Sequence, residues 1–209
     1  RLPVHVIMRD EEIMLPGTFE YCERMANRPE LNFHWVYACQ PVINTYDRNM
    51  PYYWTFDPLL DPEEWVRKPP ARAYKIPNMD ITNLVTHERF GFDMSKEIIS
   101  VTGVTMYESN NRRLSFFSMG GDFITKKHQV AGGTLRIAKP IYDWRVGDVW
   151  KAIGENHWDY NSAYDVLVNH GISRDQARIA PPTMTLAALK ELQVGAKAFP
   201  IWFARVCKR

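Results

Sequence analysis

A strand–helix–strand pattern fills the first 40 residues and constrains the fold more than any other feature. "LPVHVIM", residues 2–8, is a continuous apolar and β-branched run, which is typical of a strand buried on both faces. In residues 18–30 apolar side chains recur at helical spacing, and "LNFHWVYAC", residues 31–39, is a second strand rich in aromatic residues. Two strands joined by a helix within this length form a right-handed βαβ unit, which predicts a parallel sheet.

The remaining segments extend this α/β pattern and then become helical. Residues 97–105, "EIISVTGVT", form a third strand candidate, whereas residues 41–80 are rich in proline and aromatics without a sustained period. Disordered segments are poor in aromatics, so this stretch is predicted to be an ordered insertion. We predict an α/β core over residues 1–140 and a helical C-terminal part of the same domain over residues 141–209.

Composition gives no indication of several classes of function, although a local basic patch remains compatible with it. Twenty-six basic and 24 acidic residues give a net charge of +2, so bulk charge indicates neither a nucleic-acid partner nor a membrane partner. No apolar run approaches the ~18 residues that a membrane span needs. The cysteines form no C-x-x-C pair and the histidines have no metal-ligand spacing, which predicts reduced thiols, no metal site and a cytoplasmic protein. The three cysteines are Cys22, Cys39 and Cys207.

Two polar clusters follow predicted strands, where ligands of parallel α/β sheets bind. Asp10, Glu11 and Glu12 follow the first strand, and "ESNNRR", residues 108–113, follows the third. Carboxylates suit ribose hydroxyls or a metal–phosphate group, and the two arginines suit bidentate contacts to phosphate or sulfate. The alternative is that the glutamate and the first arginine, four residues apart, form an ion pair on a solvated helix start.

A basic stretch lies between two glycine turns. Lys126, Lys127 and His128 could form a lid over an anion, or they could be a solvated basic loop. The sequence leaves both interpretations open.

Aromatic residues are concentrated in the insertion. They could stack a nucleotide base or form a satellite hydrophobic cluster, and a short helix is predicted near Trp65, behind Asp61 and Pro62. The aromatic set is Tyr52, Tyr53, Trp54, Phe56 and Trp65.

Several of these segments resemble a known family. "VTGVTMYESNNR" resembles the G-[IL]-R-x-x-E-S-x-x-R segment of the phosphoadenosine phosphosulfate reductase family, and "KPIYDWRVGDVWKAI" resembles its P-I-x-D-W-x-x-x-D-V-W segment. "VIMRDEEIMLPGTFEY" is similar to the family's second strand, and "WDYNSAYDVL" to its asparagine–tyrosine turn. The resemblance covers residues 4 to about 170 in the family's order, and the aromatic insertion looks closest to a phage and bacterial branch.

This resemblance implies an adenine-nucleotide α-hydrolase-like fold, in which a Rossmann-like parallel sheet binds an adenylyl nucleotide at its carboxyl edge. It implies that Asp10 lies at the nucleotide edge, and that Gly103, Glu108, Ser109 and Arg112 belong to a sulfonucleotide or phosphate loop. Arg113, Lys126 and Lys127 are further predicted anion contacts.

The sequence departs from the family pattern in three ways. The phosphate-cradling S-G-G-K-D-S loop is absent, and its place is just upstream of Arg1, so we expect an excised segment of a longer chain. Thr105 stands where the family has an arginine. "RVCKR" does not match the family's E-C-G-x-H segment, so Cys207 is only a secondary candidate for a catalytic thiol, and no paired cysteines support an iron–sulfur cluster.

Two reactions fit the family. One is thiol-dependent reduction of phosphoadenosine phosphosulfate, with a thioredoxin-like donor as partner; the other is cleavage of ATP, bound with Mg²⁺, between its α- and β-phosphates for sulfur or adenylyl transfer to an acceptor. A homo-oligomer is compatible with either. The alternative function is a catalytically degenerate module that binds a partner in a phage or defence-associated complex.

Overall fold

The strand–helix–strand unit is present at the start of the chain. In a computed structural model, β1 spans Val4–Asp10, α1 spans Thr18–Ala26 and β2 spans Leu31–Tyr37. β1 and β2 are parallel neighbours, and Asp10 lies opposite Tyr37. Gly17 is the N-cap residue of this helix, and its φ of 96° is in the left-handed region that glycine tolerates best.

The structure describes residues 4–43, 49–118, 121–125, 127–130, 133–177, 179 and 186–209. These residues divide into two compact units. The first unit comprises Arg1–Asp80 together with Tyr160–Arg209, and the second comprises Ile81–Asp159.

The first unit contains a three-stranded parallel sheet in the order β1-β2-β5, where β5 is Tyr74–Lys75. β3 (Gln40–Ile43) and β4 (Tyr52–Thr55) form a separate antiparallel pair. The helices of this unit are α1, α5 (Ala163–Asn169), α6 (Leu186–Ala198) and α7 (Pro200–Val206). Its core joins the loop after β1 to the insertion and the C-terminal helices, and includes Ile13, Leu15, Tyr53, Val66, Leu167 and Trp202.

The second unit has its own three-stranded sheet. β6 (Glu97–Val101) is parallel to β8 (Gly133–Ala138), which is antiparallel to β7 (His128–Val130). The α-helices of this unit are α2 (Ile81–Thr86), α3 (Asn110–Ser118) and α4 (Val146–Glu155), and short 3-10 helices span Glu88–Phe90 and Met106–Glu108. The predicted helical part, residues 141–209, therefore contributes α4 to the second unit and α5 to α7 to the first.

The observed architecture confirms an α/β fold with a parallel sheet. The helix predicted near Trp65 is wrong, because residues 62–67 form successive turns. The backbone N–H of Val66 donates to the Glu12 carboxylate at 2.7 Å and therefore makes no helical hydrogen bond.

No helix in the described part of the chain is long and apolar enough to cross a bilayer.

Candidate functional site

The segments that follow β6 and β8 meet at one end of the second unit's sheet. Val101 and Ala138 end these parallel strands side by side. Beyond them, the N–H of Thr102 donates to the carbonyl of Ala138 at 2.9 Å, and the N–H of Met106 donates to the carbonyl of Tyr142 at 2.8 Å. We call residues 102–113 and 139–145 the carboxyl edge; it unites two of the segments that resemble the reductase family.

Tyr142 holds the carboxyl edge together. Its side chain is 1% exposed, and its hydroxyl donates to the backbone carbonyl of Arg112 at 2.7 Å. Its ring packs edge-on against Phe116, with centroids 5.0 Å apart, and the Nζ of Lys139 lies 4.5 Å from the ring centroid. The buried ring therefore fixes the backbone from which the Arg112 side chain projects.

Glu108, Ser109 and Arg112 form one local network. One carboxylate oxygen of Glu108 accepts the N–H of Thr105 at 3.0 Å, and the other forms an ion pair with the Arg112 guanidinium. The N–H of Arg112 donates to the Ser109 hydroxyl at 3.2 Å. The pairing expected from the i,i+4 spacing is therefore present, and both side chains keep solvent access, with 42% of Arg112 and 28% of Glu108 exposed.

Other cations lie on the same edge. Arg113 is exposed on α3, and its N–H donates to the carbonyl of Ser109 at 3.1 Å. Arg145 is also exposed, and its guanidinium carbon lies 5.0 Å from the centroid of the Tyr107 ring. The carboxyl edge thus combines backbone N–H groups with guanidinium and ammonium groups, the donors that bind phosphate and sulfate oxygens.

Sequence reasoning had not singled out Tyr142, Lys139 or Arg145. A signal for them existed, because all three lie in or beside the "KPIYDWR" stretch that resembles the family. Gly103, which was predicted to belong to a sulfonucleotide or phosphate loop, is one of the residues of the carboxyl edge. A Cβ there would meet only Ile141, at an ordinary distance of 3.8 Å, so no steric reason requires glycine.

Lys127 lies at the other end of β6. Its Nζ is 3.1 Å from Glu97, the first residue of that strand, and Arg136 contacts the same carboxylate oxygen at 3.2 Å. The hydrogen bond from Lys127 holds the pKa of Glu97 below its usual range. The structure therefore does not bring Lys127 together with Arg112, and Lys126 lies outside the described residues.

Asp10 lies in the first unit, fully buried at the end of β1. One carboxylate oxygen accepts the N–H of Glu12 at 3.0 Å; the other accepts the Trp35 indole N–H at 2.8 Å and pairs with Arg67. Burial lowers the pKa of Arg67, and its guanidinium also lies over the Phe19 ring, 3.3 Å from the centroid. These contacts commit Asp10 to joining β1, β2 and the insertion.

Glu12 has a similar structural role. Its backbone adopts a left-handed φ of 61° and its side chain is fully buried. The carboxylate accepts the backbone N–H groups of Phe56 and Val66, and the Nε of Arg209 lies 3.6 Å away. Burial raises the pKa of Glu12, although the two N–H donors oppose this shift.

The aromatic residues of the insertion divide into two groups. Tyr53 and Phe56 are buried, and Phe56 packs edge-on against Trp65 and Tyr37, with centroids 5.4 and 5.1 Å apart. Tyr52, 53% exposed, and Trp54, 48% exposed, face solvent. Tyr53 thus belongs to the hydrophobic core of the first unit, whereas Phe56 packs in a separate aromatic group with Tyr37 and Trp65.

The cysteines are free and dispersed through the first unit. Cys22 is buried, and burial raises the pKa of its thiol to about 11. Cys207 is exposed immediately after α7. Among the described residues no three histidine, cysteine or acidic side chains are grouped as a metal site would require.

Comparison with curated proteins shows that the chain is similar to a bacterial protein. The uncharacterized protein YbdN of Escherichia coli K12 is 25% identical over an alignment of 162 residues, and the match covers 72% of this chain and 39% of that protein. The chain thus spans well under half the length of this relative. No family model matches the chain, and no solved structure matches it.

Proposed function

We propose that the chain is an adenine nucleotide or sulfonucleotide binding domain of the phosphoadenosine phosphosulfate reductase family, and that the carboxyl edge binds the ligand's anionic group. The observation that carries this proposal is the meeting of residues 102–113 with residues 139–145 at the ends of two parallel strands. Two segments that separately resemble the family are thereby joined in one cation-rich loop pair, where parallel α/β sheets bind ligands.

The residues of the edge have distinct roles in this proposal. Arg112 and Arg113 neutralise phosphate or sulfate oxygens, with Arg145 and Lys139 adding positive charge. The Tyr142 hydroxyl positions Arg112 by donating to the backbone carbonyl of Arg112. Thr105 is buried where the family has an arginine, and its backbone N–H, which donates to Glu108 when no ligand is bound, replaces the charged contact.

Two chemistries are compatible with this site. ATP cleavage between the α- and β-phosphates requires no protein thiol, whereas sulfonucleotide reduction requires a nucleophilic thiolate. The buried Cys22 has a raised pKa, which disfavours the thiolate form, and Cys207 lies outside any segment like the family's E-C-G-x-H. We therefore favour the adenylyl chemistry, with Mg²⁺ entering as the metal of the ATP substrate.

Isothermal titration calorimetry tests the binding step. We expect the 209-residue chain to bind at least one of ATP, phosphoadenosine phosphosulfate and adenosine 3′,5′-bisphosphate, with affinity that falls as salt rises. The matched control is Lys96→Ala, which removes one exposed cation at the amino end of β6 and should leave the affinity unchanged. Absence of binding to all three nucleotides would contradict the proposal.

A partner-binding module is the second candidate function. Leu114 and Phe117, 65% and 64% exposed on α3, present apolar surface that a partner could cover. The same calorimetry separates the two candidates, because a degenerate module of this kind would bind none of the three nucleotides.

A further inference from the structure

The Glu108 carboxylate occupies two different donors of the carboxyl edge at once. One oxygen accepts the backbone N–H of Thr105 at 3.0 Å, while the other pairs with the Arg112 guanidinium. A backbone N–H combined with a guanidinium is also the donor set that a phosphate or sulfate oxygen would use. Glu108 therefore binds the two groups, the Thr105 N–H and the Arg112 guanidinium, that an anionic ligand would need.

We propose that Glu108 competes with the ligand's anionic group for Arg112 and the Thr105 N–H, and so sets the affinity of the site. This inference rests on the proposed nucleotide-binding function. Binding displaces the Glu108 side chain, and the ligand's oxygens then take the two donors.

The surrounding contacts allow this exchange without unfolding the loop. Two hydrogen bonds hold the backbone of the edge. The N–H of Met106 donates to the carbonyl of Tyr142, and the hydroxyl of Tyr142 donates to the carbonyl of Arg112. None of these contacts involves the Glu108 side chain. Rotation of that side chain into solvent therefore releases both donors while the backbone stays in position.

Breaking the ion pair between Glu108 and Arg112 costs little free energy, because both side chains are partly exposed. With 42% of the Arg112 side chain and 28% of the Glu108 side chain exposed, the ion pair is partly screened by water. A doubly charged phosphate group attracts a guanidinium more strongly than a singly charged carboxylate does. The site should therefore favour ligands with such a group over singly charged anions.

Glu108→Gln tests the competition directly. The amide keeps an oxygen that can accept the Thr105 N–H but carries no charge to hold Arg112. We expect ATP or adenosine 3′,5′-bisphosphate to bind roughly two- to fivefold more tightly than to the unmodified chain, the range for an exposed ion pair. Glu108→Ala should shift affinity in the same direction, since it also removes the competing carboxylate.

Asp93→Asn is the matched control. Asp93 also accepts a backbone N–H, from Ser95 at 3.0 Å, and pairs with a nearby cation, Lys96, at 3.3 Å. It precedes the amino end of β6, so its substitution should leave affinity unchanged.

The outcomes separate the two proposals. If the unmodified chain binds nucleotide and both Glu108 variants bind equally or more weakly, Glu108 positions Arg112 and the competition is wrong, while nucleotide binding stands. If neither the unmodified chain nor the variants bind, both proposals fail.

Discussion

The backbone N–H of Val66 donates to the carboxylate of Glu12 at 2.7 Å, a contact that spans 54 residues of sequence. A second backbone N–H, that of Phe56, donates to the other oxygen of the same carboxylate. One buried side chain thus fixes two points of the insertion against the end of β1. The insertion owes its order to this acceptor as well as to its aromatic packing.

Glu12→Ala should strongly destabilise the first unit. The substitution leaves two buried N–H groups without their acceptor and the 95%-buried side chain of Arg209 without its counter-charge. We expect the free energy of unfolding to fall by about 3–5 kcal/mol, measured by urea denaturation. Glu30→Ala, which removes an exposed carboxylate, should change it by less than about 0.5 kcal/mol. A loss below about 1 kcal/mol for Glu12→Ala would contradict the anchoring role.

Glu11 should make stability depend on pH. Burial, opposed by Arg9, raises the pKa of Glu11 above its usual value of 4.5, so the folded state holds its proton more tightly than the unfolded state. Ionised Glu11 therefore costs stability above the folded pKa, and this cost vanishes as pH falls below 4.5. Glu11→Gln should stabilise the protein at pH 7 and have little effect at pH 4. Urea denaturation at each pH measures the change in the free energy of unfolding. An equal change at pH 7 and pH 4 would contradict this role of Glu11.

Gly195→Ala should destabilise the contact between α6 and α7. A Cβ at this position would overlap the ring of Trp202, which is only 9% exposed. The overlap should cost about 1–3 kcal/mol, although alanine is the better helix former. Gly154→Ala in α4 meets nothing within 4 Å and should be neutral or stabilising by about 0.5–1 kcal/mol. The thermal unfolding temperature should therefore fall for Gly195→Ala but not for Gly154→Ala; an unchanged or higher temperature for Gly195→Ala would show that the Trp202 ring moves aside.

Cys22 and Cys207 should differ in their reactivity toward alkylating reagents. Burial raises the pKa of Cys22 to about 11, so its thiolate is scarce at pH 8, whereas Cys207 is exposed. Alkylation followed by mass spectrometry should modify Cys207 first and Cys22 only after unfolding. Cys207→Ser should leave any ATP-cleaving activity intact, and complete loss of activity would instead support the thiol mechanism.

Arg112→Ala should weaken nucleotide binding by about 1.5–3 kcal/mol, the range for hydrogen bonds to charged groups. The substitution removes the guanidinium that binds the ligand's anionic group in the proposed site. Calorimetry against the Lys96→Ala control measures the effect. An unchanged affinity would show that Arg112 only pairs with Glu108.

Features coded by neighbouring residues could be predicted from the sequence. The βαβ unit follows from continuous apolar runs around a helical period, and the Glu108–Arg112 pair follows from spacing along one chain segment. The turns around Trp65 were missed because the local signal, an aspartate and a proline before acidic residues, is also that of a helix start.

Contacts between distant segments required the tertiary structure. Asp10, predicted at a nucleotide edge, has both oxygens occupied by Glu12, Trp35 and Arg67, and the last of these lies 57 residues away. Likewise, the Tyr142 hydroxyl reaches the carbonyl of Arg112 across 30 residues. The sequence by itself determined the βαβ unit, the third strand and the polar clusters that follow these strands, because periodicity and spacing are local. Only the tertiary structure decided which donors meet which acceptors, because that depends on the path of the intervening chain.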